Sequence, residues 1–328
     1  MDVELVSQAF DEKNFSEKVF EKALSKLVSK ELAAALRVQS VVLDAACGFM
    51  RRKGLIQLLP IIISPVTDPL SHSVSDGSVD CGGRKLQLTK SMILHKQLAL
   101  ASVGKGAGVF VVSPNVRLEP KEKAGTGRHL LEFSQFDFEI KGAEMRGAMD
   151  FIEDLFASVF SRVERECWKD LAFFSRDLRV PEKPFPVFDS VELRSRFGAR
   201  WEDEASRSSK KFFWVVNHER EFYDREDPEK SGHFLNYDVF YPDGFGEALS
   251  GGEREFEYER IIERMKRNGT RPEEFTPYLA AARRGMLSSS AGAGFGIERM
   301  VRFICGAKHV ADVSPFAKIP GQEQEIVF

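Results

Sequence analysis

The sequence is poor in cysteine and has no apolar stretch long enough to cross a bilayer. Its 328 residues include four cysteines, and no two of them have metal-binding or redox spacing. Such sparse usage is typical of reduced thiols in a cytoplasm. The longest apolar run, GLIQLLPIIISPV, contains two prolines and is too short for a transmembrane helix, and the amino terminus lacks a signal-peptide pattern. These absences predict a soluble, cytoplasmic protein without a membrane partner.

An excess of basic charge and the common nucleotide-binding motifs are also absent. Lysine and arginine number 47 against 50 acidic residues, and the net charge of −3 does not indicate nucleic acid. There is no GxxxxGK[ST] loop and no GxGxxG opening a βαβ unit, so any phosphate chemistry must use another arrangement. The composition, 43% hydrophobic and 30% charged, is that of a globular protein with one large domain or two modest ones.

The order of the predicted elements favours an α+β fold. Helical spacing is found in four ranges, with a further helix after GAGFG: 15–55, 143–176, 252–268 and 272–285. Strands with hairpin spacing lie between the helices, including an edge strand that contains Pro60. Residues 180–211 are predicted to form an excursion with one short helix. Antiparallel strands in this order indicate α+β rather than alternating βαβ units.

One predicted strand has an unusual polar face. In RHLLEFSQFDFE, residues 128–139, the period of two places Phe136 and Phe138 on one face. The other face carries a mixed series of side chains: His129, Leu131, Phe133, Gln135, Asp137 and Glu139. A solvated face would explain the polar residues but would expose the apolar ring of Phe133 to water. The pattern favours the floor of a ligand site.

Three arginines and two oxygen-bearing residues suggest a site for anions and Mg²⁺. An arginine fork donates parallel hydrogen bonds to phosphate or carboxylate, which suits Arg117, Arg254 and Arg299. Glu247 and Ser250 present oxygens suited to Mg²⁺ held by few protein ligands together with nucleotide phosphates. Taken alone, each arginine is more often part of a surface salt bridge, and Glu247 with Ser250 fits a cap or turn equally well. Their combination favours a site.

Five segments, in order, resemble the class II aminoacyl-tRNA synthetases of the aspartate/asparagine branch. RVQSVVLDAACGFMRRKGLIQLLPIII is similar to motif 1, VRLE with RHLLEFSQFDFE to motif 2, and GAGFGIERMV to motif 3. SMILHKQ resembles the segment with the substrate lysine, and GEALSGGERE the one with magnesium ligands and the substrate arginine. The resemblance implies a class II fold, an antiparallel sheet flanked by helices. It divides the chain into an N-terminal helical extension, 1–36, and a catalytic domain, 37–328, with the insertion at 180–211.

The resemblance implies roles at the ATP end of such a site. Arg117 and Arg299 are the expected catalytic residues, with Arg117 stabilising the negative charge that develops at the α-phosphate. ATP binding is implied for a larger set: Arg117, Glu119, Arg128, His129, Phe133 and Arg299. Within this set Phe133 is expected beneath the adenine ring and Arg299 above it. Glu247 and Ser250 are expected to hold Mg²⁺.

The resemblance also implies which residues of the site bind the amino-acid substrate. Five residues are expected to bind the substrate: Ser91, Lys96, Gln135, Asp137 and Arg254. Lys96 and Arg254 are expected to grip a side-chain carboxylate, while Gln135 and Asp137 position the substrate and its ammonium group. Because two cations aimed at one side chain favour an acid over an amide, aspartate is the expected substrate.

The expected reaction depends on the amino acid's acceptor. The synthetases that the chain resembles carry an anticodon-binding barrel before motif 1, and no room for one is found before residue 37. The sequence therefore favours a function like that of archaeal-type asparagine synthetases, in which ATP converts aspartate to β-aspartyl-adenylate and ammonia displaces AMP. One alternative is an aspartyl- or asparaginyl-tRNA synthetase-like enzyme acting on tRNA or another acceptor. The other is an inactive paralogue with a binding or regulatory role.

The expected partners follow from this choice. ATP, Mg²⁺, aspartate and ammonia are expected ligands, nucleic acid is not, and a homodimer is expected through the motif 1 helix and the Pro60 strand. Ammonia and glutamine both remain open as nitrogen donor. Asp68 is a weak candidate for handling the ammonia proton, since it fits a turn before proline better. His218 and His233 either flank a closing loop or lie on the surface.

Overall fold

The computed structural model describes residues 16–70 and 74–328, which form two sheets with helices around them. Residues 1–15 of the predicted extension and residues 71–73 of a predicted loop lie outside the described residues. The predicted α+β class is confirmed, because the interior strands of the large sheet pair antiparallel and helices flank the sheet.

The strands are short at the edges and long in the centre of the large sheet. In chain order they are β1 (Ile56–Gln57), β2 (Ile63–Ser64), β3 (Ser78–Cys81), β4 (Arg84–Leu88), β5 (Gly108–Val116), β6 (Glu132–Lys141), β7 (Val187–Asp189), β8 (Phe213–Val216), β9 (Asn236–Tyr241), β10 (Gly246–Glu253) and β11 (Ser290–Gly296). The large sheet has the order β1-β5-β6-β11-β10-β9-β8-β7, and the small sheet has the order β2-β4-β3. The interior pairs are antiparallel, and the pairs at the two edges, β1 with β5 and β7 with β8, are parallel.

The helices lie before, between and after these strands. In chain order they are α1 (Glu17–Leu27), α2 (Lys30–Arg52), α3 (Ile93–Ala99), α4 (Met145–Glu166), α5 (Trp168–Phe173), α6 (Ser190–Phe197), α7 (Trp201–Ser208), α8 (Tyr258–Asn268), α9 (Thr276–Arg283) and α10 (Ile297–Cys305). Ser16 and Ser29 cap α1 and α2 by accepting hydrogen bonds from the backbone N–H groups of Val19 and Leu32.

The core lies on one face of the large sheet, beneath α2, α4 and α10. On β6 the period of two sends Phe136 and Phe138 into this core, where both are fully buried. The Phe136 ring stacks between Phe110 and Phe295, with centroids 5.8 and 5.2 Å away. The alternate residues of β6 therefore point to the opposite face of the sheet, as predicted.

Helix α2 is apolar and long enough, by length and composition, to cross a membrane. It begins near the amino terminus of the chain, and its buried side chains belong to the same core as α4 and the sheet. Such packing is typical of the core helix of a globular domain, which passes the same test of length and composition.

Some predicted boundaries are wrong. Pro60 lies between β1 and β2 rather than in a strand, as its missing N–H requires where a ladder would continue. Residues 128–131 precede β6. The excursion at 180–211 contains β7, α6 and α7 rather than one short helix. The charged helix predicted from residue 252 begins at Tyr258, because β10 extends to Glu253.

Candidate active site

All of the residues predicted from the sequence to form the site line one cavity of about 400 Å³ on the open face of the large sheet. They are Ser91, Lys96, Arg117, Glu119, Arg128, His129, Phe133, Gln135, Asp137, Glu247, Ser250, Arg254 and Arg299. Strands β6, β10 and β11 supply the floor, and the β5–β6 loop and the chain between β8 and β9 supply the walls. We call the part around Lys96, Asp137 and Arg254 the inner end, and the part around Arg117, Arg128 and Arg299 the outer end.

Glycine on β11 makes room for the polar face of β6. Gly294 lies directly opposite Asp137 in the antiparallel register, so a side chain there would stand beside the carboxylate. A Cβ atom on Gly294 would come within 2.2 Å of Asp137 Oδ1 and 2.6 Å of Gln135 Nε2. The floor of the inner end therefore requires glycine at this position.

Lys96 and Arg254 lie at the inner end, where each is already paired with a carboxylate. Lys96 Nζ donates to Asp137 Oδ1 at 2.9 Å and to the backbone oxygen of Phe138 at 3.2 Å. Arg254 donates from Nε to Glu139 Oε1 at 3.2 Å and from Nη1 to Asp224 Oδ1 at 2.9 Å. Neither cation is a free charge awaiting a substrate carboxylate, which corrects the premise on which aspartate was selected.

One carboxylate oxygen of Asp137 has no hydrogen-bond partner among the described residues. Its side chain is 4% exposed, and Oδ2 is buried without a hydrogen-bond partner among the described residues. An unpaired buried carboxylate oxygen is costly, and an ammonium or amide N–H in the cavity would satisfy it. Gln135 stands next along this face and is oriented by Asn115 Nδ2, which donates to Gln135 Oε1 at 2.9 Å.

The structure adds a buried network that the sequence did not reveal. Arg220, in the segment between β8 and β9, donates from Nε to Asp224 Oδ2 at 2.7 Å and from Nη1 to Asp238 Oδ1 at 2.9 Å. Asp238 lies in NYDVFY on β9, directly opposite Ser250 on β10. The alternation of this strand was the one available signal, because it places Asn236, Asp238 and Phe240 on one face. The loop that carries Arg220 has no periodic pattern.

His218 and Asp68 also line the cavity. His218 is buried, so its interpretation as a surface histidine is wrong, and burial lowers its pKa despite the carboxylate of Asp238 at 3.3 Å. Asp68 accepts hydrogen bonds from Ser91 Oγ at 2.8 Å and from the hydroxyl of Tyr223 at 3.0 Å. It also accepts from the backbone N–H of Leu70, as the turn interpretation expects.

A β-bulge brings the two predicted magnesium ligands to the same face. Residues three apart on a regular strand point to opposite faces. In β10 the register shifts between Glu247 and Leu249, so that Glu247 lies opposite Phe240 and Ser250 opposite Asp238. Phe240 and Asp238 are two residues apart and share a face, and their partners share it too. Both Glu247 and Ser250 therefore reach the cavity.

The outer end is rich in arginine. Arg117 Nε donates to the backbone oxygen of Lys90 at 3.1 Å, and the guanidinium lies 5.1 Å from the centre of the Phe133 ring. The two terminal nitrogens of Arg117 have no hydrogen-bond partner within residues 16–70 and 74–328. Arg299 donates to the backbone oxygen of Arg128 and to Glu247 Oε1 at 3.3 Å. Arg117 therefore presents donors to a phosphate or carboxylate group.

Helix α7 of the 180–211 insertion closes the outer end. Asp203 on this helix pairs with Arg128 Nη1 at 3.2 Å. Glu202 lines the cavity, and burial together with the nearby carboxylate of Glu247 raises its pKa. The insertion therefore contributes acidic groups next to the arginines that face the cavity.

The donor set fits ATP with Mg²⁺. In the part of the chain that the structure describes, no group of three or more His, Cys, Asp or Glu side chains is arranged to hold a metal ion. Glu247 and Ser250 instead supply a carboxylate and a hydroxyl on one face, which suits Mg²⁺ that keeps waters and phosphate oxygens as further ligands. The cavity can thus neutralise phosphate charge at one end and hold an ammonium group at the other.

Comparison with known proteins agrees with this arrangement. Residues 16–320 match the family model described as tRNA synthetases class II (D, K and N). A curated relative, an asparagine–tRNA ligase from Koribacter versatilis, is 31% identical over 317 residues, covering 88% of this chain and 69% of the relative. Another asparagine–tRNA ligase, from Pyrococcus abyssi, is 26% identical over 313 residues, covering 90% of this chain and 70% of the relative.

A solved structure shows the same fold. The crystal structure of asparaginyl-tRNA synthetase from Pyrococcus horikoshii, complexed with asparaginyl-adenylate, superposes with a TM-score of 0.79 at 23% sequence identity. The superposition covers 89% of this chain and 70% of that chain. The class II fold expected from the motifs is therefore confirmed.

Proposed function

The chain belongs to the class II tRNA synthetases (D, K and N), and from this premise we propose that it joins asparagine to tRNA. As a member of this family it is an adenylate-forming ligase that uses ATP and Mg²⁺. In the proposed reaction the α-carboxylate of asparagine attacks the α-phosphate of ATP, and pyrophosphate leaves. A tRNA hydroxyl then attacks the carbonyl carbon, loses its proton, and displaces AMP.

The proposal is based on the different groups at the two ends of the cavity, hydrogen-bond donors at the outer end and an acceptor at the inner end. At the outer end, Arg117 offers terminal N–H groups, which have no partner among the described residues, to the α-phosphate and the attacking carboxylate. At the inner end, Asp137 Oδ2 offers an acceptor to the ammonium group. A zwitterionic amino acid bound between them directs its α-carboxylate toward ATP, so alignment and charge neutralisation supply the catalysis.

The inner end suits an amide side chain better than a second carboxylate. Its cations, Lys96, Arg220 and Arg254, are all hydrogen-bonded to buried carboxylates. The acids there outnumber them: Asp68, Asp137, Glu139, Glu221, Asp224 and Asp238. A neutral amide adds no charge to this set and brings two N–H donors, whereas a carboxylate would add to the acidic excess. This reasoning favours asparagine over the aspartate expected from the sequence.

At the outer end we assign ATP binding to the residues singled out by the motifs. Phe133 supports the adenine ring, Glu119 recognises it, and Arg299 covers its other face. Arg128 and His129 reach the terminal phosphates. Glu247 and Ser250 hold Mg²⁺, which, when bound, neutralises phosphate charge and orients the leaving pyrophosphate. The complete set argues against the inactive paralogue.

A second candidate is the formation of asparagine from aspartate and ammonia. One observation favours it, because Lys96 and Arg254 both line the inner end and would face an aspartate carboxylate once their present partners moved. The relatives favour the tRNA reaction instead, since their names are those of asparagine–tRNA ligases. The expectation that no nucleic acid takes part finds no support among them. The cytoplasmic location stays a prediction.

We also propose that the chain forms a homodimer through β1, β2 and the turn that joins them. Ile56, Leu59 and Ile62 expose 54%, 90% and 57% of their surfaces in this segment. Several exposed apolar side chains in one short segment are typical of an interaction surface. A second copy would cover it and extend the edge of the large sheet that β1 now forms.

The decisive experiment offers the protein both amino acids and both acceptors. We expect ATP–pyrophosphate exchange that depends on asparagine, and radiolabelled asparagine attached to tRNA. Exchange with aspartate alone, accompanied by free asparagine when ammonium is added, would replace the proposal with the second candidate. Arg117→Ala should reduce the exchange by about 10²- to 10³-fold. Arg179→Ala is the matched control, because Arg179 is 86% exposed and pairs with Asp177 on the surface.

A further inference from the structure

Arg220 occupies the part of the cavity next to the proposed metal ligands. Its Nη1 donates to Asp238 Oδ1 and to Ser250 Oγ, each at 2.9 Å, and its Nη2 donates to the backbone oxygen of Gly251 at 2.7 Å. Ser250 is one of the two residues assigned to Mg²⁺, and Asp238 stands directly opposite it on β9. The Arg220 guanidinium group therefore already supplies the positive charge that contacts Asp238 Oδ1 and Ser250 Oγ.

Arg220 and a divalent cation on Ser250 would compete for the same oxygen atoms. A metal ion bound to the Ser250 hydroxyl would lie close to Arg220 Nη1, which donates to the same oxygen at 2.9 Å. The repulsion between a divalent and a monovalent cation at this distance is strong in a buried site. Arg220 also occupies one of the two lone pairs of the Ser250 hydroxyl, on the oxygen that a metal ion would bind.

The backbone of Arg220 is held in place independently of its side chain. The backbone oxygen of Arg220 accepts hydrogen bonds from Arg264 Nη2 at 3.3 Å and Asn268 Nδ2 at 2.6 Å, both on α8. Asp224 keeps Arg254 and Asn236 as hydrogen-bond donors after Arg220 departs. Asp238 would keep the Ser250 hydroxyl and the His218 ring nitrogen as neighbours but would lose its guanidinium cation. If the Arg220 side chain moved away, the Asp238 carboxylate would lack its cation, and a metal ion would replace that positive charge.

We propose that Arg220 is an internal stand-in for the metal ion: its guanidinium holds Asp238 and Ser250 when Mg²⁺ is absent, and it swings away when Mg²⁺ binds with ATP. Asp238 then becomes a further metal-binding residue beside Glu247 and Ser250. The consequence is that the protein binds divalent cations weakly on its own, and ATP must contribute phosphate ligands before the exchange of cations becomes favourable. This inference rests on the proposed metal site and is independent of the amino acid and its acceptor.

The test measures Mn²⁺ binding to the full chain without ATP, amino acid or tRNA, by the electron paramagnetic resonance signal of free Mn²⁺. We expect Arg220→Gln to bind Mn²⁺ about tenfold more tightly than the parent, because the competing cation is gone and the carboxylates remain. The thermal midpoint of Arg220→Gln should also rise on adding MgCl₂ alone, while that of the parent changes little. The double variant Arg220→Gln with Asp238→Asn should lose both effects.

A folded Arg220→Gln protein with parental Mn²⁺ affinity would overturn the proposal, and so would a gain that survives Asp238→Asn. Should Arg220→Gln not fold, Arg220→Lys takes its place, because lysine keeps the charge but cannot bond Asp224, Asp238, Ser250 and Gly251 together. Tighter Mn²⁺ binding by this variant would support the proposal, and unchanged binding would refute it. Neither readout depends on whether the acceptor is tRNA or ammonia.

Discussion

Replacing Gly294 by alanine should damage amino-acid binding while leaving ATP binding intact. The backbone of Gly294 is not in the left-handed region, so alanine adds no conformational strain. The effect arises from space alone, because the new methyl group would come within 2.2 Å of Asp137 Oδ1 and 2.6 Å of Gln135 Nε2. Both side chains must move, and Asp137 would lose its 2.9 Å bond with Lys96.

The magnitude follows from these distances. An ordinary contact of a Cβ atom begins at 3.4 Å, so Asp137 Oδ1 must retreat by about 1 Å. Overpacking of this kind costs about 1–3 kcal/mol of folding free energy. Loss of the contact between the Asp137 carboxylate and the substrate ammonium costs a further ~1.5–3 kcal/mol of binding free energy. The KM for the amino acid should therefore rise about 10- to 100-fold.

The assay is ATP–pyrophosphate exchange, measured once with the amino acid varied and once with ATP varied. We expect Gly294→Ala to raise the KM for the amino acid and to leave the KM for ATP near its parental value. Urea unfolding of the same protein would measure the cost of overpacking and establish that the variant is folded.

Gly296→Ala is the matched control on the same strand. A Cβ atom there would meet Arg299 at 3.6 Å, which is an ordinary contact, so this variant should be as stable as the parent. It lies opposite Gln135 toward the outer end, and its KM for the amino acid should not change. The reasoning is refuted if Gly294→Ala is folded and keeps the parental KM for the amino acid, or if both variants raise it equally.

Three further predictions concern stability and assembly. Lys96→Met should lower the free energy of unfolding in urea by about 3–5 kcal/mol, because it leaves Asp137 buried without its cation. The pKa of His218 is lowered by burial, so the unfolded chain binds the proton more tightly and stability should fall as pH decreases below 6.5; urea unfolding of His218→Gln should show a smaller loss between pH 7.5 and pH 5.5. Leu59→Asp should convert the proposed dimer to a monomer in light scattering; a monomeric parent would contradict the dimer.

The residues that line the cavity were predictable because strand period and motif order both act locally. On β6 the alternation placed Phe136 and Phe138 in the core and left Phe133, Gln135 and Asp137 for the cavity, as the structure shows. The partners of these side chains were not predictable. Lys96 and Arg254 looked like two free cations in the sequence, and their pairing with Asp137, Glu139 and Asp224 removes the reason for expecting aspartate.

Two placements depended on irregular backbone. Glu247 and Ser250 share a face because a bulge follows Glu247, and a period of two assigns them to opposite faces. Arg220 lies in a segment without periodicity, and its side-chain hydrogen bonds join residues up to 31 positions apart. Contacts of that kind arise only when strands from distant parts of the chain are brought side by side.

The amino-acid pattern alone was enough for the fold class and for the residues that face the cavity, since alternation and motif order are properties of short segments. Folding of the whole chain decided which charges are free and which are compensated. Electrostatic interactions depend on distance in space and on burial rather than on separation along the chain. For that reason Arg117 has terminal nitrogens without a partner among the described residues, while Lys96, Arg220 and Arg254 are already held by carboxylates.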